Sequence, residues 1–250
     1  MKYILGNWKM NATHAEAAVL ARTLAALPVP GNVKTALFPP FTSLHIVAEA
    51  ASGSALGLGA QDCSIEEKGA FTGEISASML KDSGCNYVIV GHSERRTLHG
   101  ETSATVKRKA EAAIRAGLVP VICVGEHSAE RESGNYLQVI SRQVEESLPA
   151  LACDMLVIAY EPVWAIGTGK IPSVSDITEV HKTIASLLYR ATSVAVNAPA
   201  KTAIVYGGSV KAANAREILA AEAVDGVLVG GASLNADEFG KIIESAGSLG

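Results

Sequence analysis

Short β-branched and aliphatic runs recur along the chain: YIL at 3–5, KTALF at 34–38, ALGLG at 55–59, YVIV at 87–90, VPVICV at 119–124, LVIAY at 156–160, TAIVY at 202–206 and GVLVG at 226–230. The runs are apolar without a clean polar alternation, the pattern of strands buried on both faces. Alanine-rich stretches of helical period lie between them. In ETSATVKRKAEAAIRAG (101–117), Val106, Ala110, Ala113 and Ile114 share one face, Lys107, Arg108, Glu111 and Arg115 look outward, and Gly117 closes the helix.

Regular strand–helix alternation supplies the crossovers that parallel strands require. Eight such units in 250 residues average about 31 each, the size of a βαβ unit and the total expected of a closed eight-stranded parallel (β/α)8 barrel, the TIM-barrel architecture. A doubly wound open sheet is the alternative, but it carries a glycine fingerprint after its first strand, where this chain runs into GNWKM (6–10). No Gly/Ser/Pro linker divides the sequence, so one catalytic domain is expected over residues 1–250.

Composition narrows the class. Hydrophobic residues make up 48 % and charged ones 18 %, which is incompatible with disorder and ample for a single large core. A net charge of −4 without any run of Lys or Arg argues against nucleic acid or an anionic membrane as partner. An anionic ligand must then be held by local devices. Cys63, Cys85, Cys123 and Cys153 form no CxxC, and reduced thiols in a cytoplasmic protein are expected. The apolar stretch of MKYILGNWKM is too short for a signal peptide, and no window of about 18 apolar residues follows.

In a barrel, function gathers at the C-terminal ends of the strands. Those ends read Asn7 and Lys9, PPF at 39–41, Gln61 and Asp62, His92 with Glu94 and Arg95, Gly125 and Glu126, Glu161, Gly207 to Ser209, and Gly230 with Gly231. Paired glycines after the last two strands allow backbone N–H groups to approach an anion, the usual phosphate cradle of this architecture. Ser93 is a candidate N-cap, which would set His92 at a helix N-terminus where the dipole favours a neutral imidazole. In AYEPVWAIGTGK (159–170), a carboxylate ends a buried run, a proline follows, and Val163, Trp164 and Ile166 lead to glycines 167 and 169. A flap closing on Glu161 would desolvate it and push its pKa upward, as suits a general base. His14, His45, His99, His127 and His181 show no HxH or HExxH spacing, so no metal site is expected.

Together these segments resemble the triosephosphate isomerase family over the whole chain: NWKMN (7–11), GAQD (59–62), GAFTGEIS (69–76), GHSERR (91–96), CVGE (123–126), AYEPVWAIGTGK (159–170), YGGSV (206–210) and DGVLVGGASL (225–234), in the family's order. The resemblance implies interconversion of dihydroxyacetone phosphate and glyceraldehyde 3-phosphate. By that likeness Glu161 is the base, His92 hydrogen-bonds the substrate oxygens, Lys9 supplies positive charge beside Asn7, and Glu94 supports Lys9. Gly167, Ser209, Gly230 and Gly231 would hold the phosphate, and neither metal nor organic cofactor is implied. The loop around Thr72, long and without helical period, would enter the partner subunit of a homodimer.

Two departures stand out: the family commonly has Asn where this chain has Asp62, and Ile171–Pro172 replace the small residues of the flap's far hinge. A Schiff-base aldolase would want a lysine near the end of a central strand, whereas Lys34 and Lys201 lie at strand entrances. A non-catalytic phosphosugar-binding barrel would have no reason to keep Lys9, His92 and Glu161 together.

Overall fold

The computed structural model describes residues 1–166, 171–194 and 199–249. Every apolar run becomes a strand: β1 Lys2–Asn7, β2 Val33–Phe38, β3 Leu56–Ala60, β4 Tyr87–Val90, β5 Val119–Val124, β6 Leu156–Tyr160, β7 Thr202–Tyr206 and β8 Gly226–Val229. All neighbours pair in parallel, and β1 pairs with both β2 and β8, so the sheet closes on itself as an eight-stranded barrel.

The unbroken apolar runs resolve into two interleaved sets, because successive side chains in a strand point to opposite faces. Leu5, Phe38, Ile89, Val121, Val157, Val205 and Leu228 belong to a buried cluster drawn from the strands alone, which fills the barrel. Their neighbours Ile4, Leu37, Val88, Ile122, Ile158, Ile204 and Val227 belong to a larger cluster shared with the helices outside, including Val106, Ala110 and Ala113. Two cores need apolar side chains on both faces, hence the missing polar alternation.

The helix expected over 101–117 runs from Ser103 to Arg115. Thr102 caps it by accepting the N–H of Thr105, and Gly117, at φ 73°, turns the chain toward β5. Lys109 interrupts the apolar face yet is buried, drawn in by Asp62 and Glu101. Strand ends from β1, β4, β6, β7 and β8 bring Asn7, His92, Glu161, Ser209 and Gly230 to one cavity.

Candidate active site

Glu161 continues the ladder beyond β6, its N–H donating to the carbonyl of Val124 at 2.8 Å. Only a glycine can stand beside it there: a Cβ on Gly125 would lie 1.7 Å from the Glu161 carbonyl oxygen, and one on Gly207 would lie 2.9 Å from its Cγ. The residue is 1 % exposed. Its Oε1 lies 2.9 Å from Nε2 of His92, and its Oε2 accepts the backbone N–H of Ser93 at 2.8 Å.

His92 reaches that position because Gly91, at φ 66°, turns the chain sharply out of β4. The helix that follows runs from Ser93 to His99, and its cap is His92 rather than Ser93, contrary to the sequence expectation. Nδ1 of His92 accepts the N–H of Glu94 at 3.2 Å. With His92 as the cap, Ser93 is the first residue of the helix, its N–H has no intrahelical partner, and that N–H is the one that holds Glu161. A ring that accepts at Nδ1 and faces a carboxylate through Nε2 is a neutral imidazole carrying its proton on Nε2. Burial pushes the His92 pKa down, while the Glu161 carboxylate and its hydrogen bond push it up and prevail as long as the pair is made. Protonation of Nδ1 would break the cap, so the neutral form is the one this geometry holds.

The upward shift expected for Glu161 is not what this arrangement gives. Burial does act upward, but the hydrogen bonds from His92 Nε2 and the Ser93 N–H, together with the Lys9 charge, act downward, and the carboxyl lies below its usual range. The apolar residues after Glu161 suggested desolvation alone, whereas its donors come from the turn after β4.

Lys9 stands two residues past the end of β1 with φ 53°. Its N–H donates to Oδ1 of Asn7 at 3.0 Å, and its Nζ lies 2.5 Å from Oε1 of Glu94. That ion pair is partly exposed and adds little to stability, but it fixes the direction of the ammonium. On the far side, the short helical turn Gly231–Leu234 opens beside Lys9, whose Cε is 3.6 Å from the place a Cβ on Gly230 would occupy. The first N–H groups of such a turn lack intrahelical partners and suit an anion.

Asn7, Lys9, His92, Glu161, Ser209, Gly230 and Gly231 all line one cavity of about 630 Å³. Glu94 does not line it and is paired with Lys9. Gly167 lies outside the described residues, with the rest of 167–170. Sequence reasoning missed Asn11, Lys211, Asn235 and Glu238 in the same lining. Lys211 had a legible signal, standing two residues past Ser209 at the cap of the helix Ala212–Ala220. Among the described residues, no group of three or more His, Cys, Asp or Glu is placed to hold a metal ion.

The charge added by Asp62 has a definite home. Its carboxylate receives Lys109 Nζ at 2.7 and 2.8 Å and lies 2.9 Å from Arg95 Nε, while Glu101 takes both cations at 2.5 Å. The four groups sit at the root of the stretch from Gln61 to Ser76, which contains no helix and exposes Thr72. At the flap's far hinge Ile171 is exposed and Pro172 buried.

The family described as "Triosephosphate isomerase" matches residues 2–246. Curated proteins of that name from Moorella thermoacetica and Bordetella pertussis are 49 % and 50 % identical to the chain, each comparison covering 96 % of both sequences. The crystal structure of triosephosphate isomerase from Bartonella henselae superposes with a TM-score of 0.85 at 41 % identity, covering 98 % of each chain.

Proposed function

The chain belongs to the triosephosphate isomerase family, and from that premise we propose how its residues divide the work. It is an aldose–ketose isomerase that interconverts dihydroxyacetone phosphate and D-glyceraldehyde 3-phosphate, a step of glycolysis and gluconeogenesis. The observation that carries the assignment of roles is the contact between Glu161 and His92 at the floor of the cavity, 2.9 Å apart.

Glu161 takes a proton from the carbon beside the substrate carbonyl and returns it to the neighbouring carbon. For this its carboxylate must let go of the Ser93 N–H and of His92, both of which hold it in the present arrangement. Releasing them removes the contacts that lower its pKa and leaves burial, which acts upward. The base therefore strengthens when substrate takes over the His92 donor. His92, neutral, then presents Nε2–H to the substrate oxygens as the enediolate forms. Lys9 adds positive charge beside Asn7, and preorganised donors of this kind are each worth about 2.7 to 4 kcal/mol.

Backbone N–H groups of Ser209, Gly230 and Gly231, with Gly167 from the flap, hold the phosphate. That grip draws the flap closed and protects the intermediate from water. Glu94 keeps Lys9 oriented. The reading treats residues 1–250 as one catalytic domain in the cytoplasm. Among the described residues, no helix is long and apolar enough to cross a membrane. A homodimer is part of the proposal: Thr72 is exposed at the tip of its loop, close in sequence to the exposed Phe71, and Met10 beside Lys9 is 95 % exposed.

The test is turnover of dihydroxyacetone phosphate by the purified protein, with glyceraldehyde 3-phosphate as the product measured. Rapid interconversion is expected; phosphate-ligand binding without turnover would point to a non-catalytic barrel.

A further inference from the structure

Gln61 follows β3 and has no part in the chemistry above, nor does it line the cavity. Its side-chain nitrogen nevertheless spends both protons on backbone carbonyls of two other strand ends. Nε2 lies 2.8 Å from the carbonyl oxygen of Lys9 and 2.8 Å from that of Phe38.

Lys9 is one of three residues other than glycine with positive φ among the described residues, at 53°. A residue with a Cβ stays in that region only where its surroundings hold both adjoining peptides. Here they do. Asn7 Oδ1 accepts the Lys9 N–H at 3.0 Å, Asn11 Nδ2 donates to the carbonyl of Trp8 at 2.7 Å, and Gln61 takes the carbonyl of Lys9 itself. The backbone from which Gln61 extends is in turn anchored by its neighbour Asp62, bound to Lys109 and Arg95.

The left-handed turn decides where the ammonium goes: Nζ toward Glu94 and Cε beside Gly230. We infer that Gln61 is a positioning residue for the isomerase reaction, its amide clamping Lys9 in the left-handed conformation that sets the lysine side chain between Glu94 and Gly230 at the cavity wall, beside Asn7. This rests on the role assigned to Lys9 under the isomerase reading. An amide is the suitable group, since two carbonyls must be served by two protons on one nitrogen, which neither a thioether nor a carboxylate supplies.

The experiment compares kcat and KM for the full-length parent, Gln61→Met, Lys9→Met and the double variant, with dihydroxyacetone phosphate as substrate and thermal midpoints recorded for each. Gln61→Met is expected to lower kcat/KM by about 10-fold or more, the scale on which small misplacements of active-site groups act. In the Lys9→Met background the same substitution should change kcat/KM by less than about 2-fold, because the residue through which Gln61 acts is gone. Equal losses in both backgrounds would overturn the clamp, as would a lowered midpoint with parental kcat/KM. Should Gln61→Met fail to fold, Gln61→Asn, whose amide is one methylene too short to span both carbonyls, carries the same comparison. Parental turnover by Lys9→Met would instead sink the catalytic assignment beneath the proposal.

Discussion

The imidazole of His92 caps one helix and grips one carboxylate: Nδ1 accepts the Glu94 N–H at 3.2 Å while Nε2 lies 2.9 Å from Oε1 of Glu161. The two duties can be separated. Asparagine is a good N-cap but is too short to reach Glu161. His92→Asn should keep the thermal midpoint close to that of the parent and lower kcat by about 10²-fold or more. Parallel melting and steady-state assays check this; unchanged turnover would remove His92 from the chemistry.

The cluster beside the Thr72 loop holds two carboxylates against two cations, and they do not titrate alike. Burial pushes both upward, but the hydrogen bonds from Lys109 and Arg95 bring Glu101 below its usual range, whereas Asp62 remains above it. The shorter contacts belong to Glu101, so its share of the cations is the larger. A carboxyl lowered on folding adds stability above its unfolded pKa, about 4.3 for Glu, and that gain is lost as pH falls through the folded value. A raised one favours the folded state in acid, and the benefit disappears as pH rises through its folded value. Glu101→Gln should therefore cost about 3 to 5 kcal/mol at neutral pH, with a penalty that shrinks below about pH 4. Asp62→Asn should cost less than Glu101→Gln at neutral pH. Melts of both variants across pH decide it; equal losses at neutral pH would contradict the division.

Gly207 lies against the base. A Cβ there would stand 2.9 Å from Glu161 Cγ and 3.2 Å from the carbonyl oxygen of Tyr160. Gly207→Ala should cost about 1 to 3 kcal/mol of stability through crowding and lower kcat by about 10-fold or more by displacing the carboxylate. Kinetics and melting of the variant test it, and parental kcat would show that Glu161 tolerates the shift.

The proposed dimer rests on the loop around Thr72, which is exposed in the single chain. Thr72→Arg should give monomers of low activity, read by sedimentation velocity. A dimer profile from the variant would place the interface elsewhere.

Much of this was legible in the sequence, and what was hidden shares one physical cause. Strands β1 to β8 stood out because burial on two faces leaves an unbroken apolar run, and strand-end polar residues could be read once a barrel was supposed. The interior and exterior sets along each strand were not separable, since Leu5 and Ile4 are equally apolar. His92 as the cap was missed because Ser93 is the commoner capping residue and nothing local shows that its N–H is needed by Glu161. The direction of the Glu161 pKa failed for a like reason: its donor Ser93 is 68 positions away, and Lys109 is 47 from Asp62. Local pattern reports burial well and partners poorly.

The central claim is that Glu161 is the base, and the kcat of Glu161→Gln tests it most directly. The substitution keeps the size of the side chain and its reach but replaces the basic carboxylate with a non-basic amide. A fall in kcat of at least about 10²-fold with KM near the parental value is predicted. Turnover within a few-fold of the parent would contradict the account, whatever the other variants do.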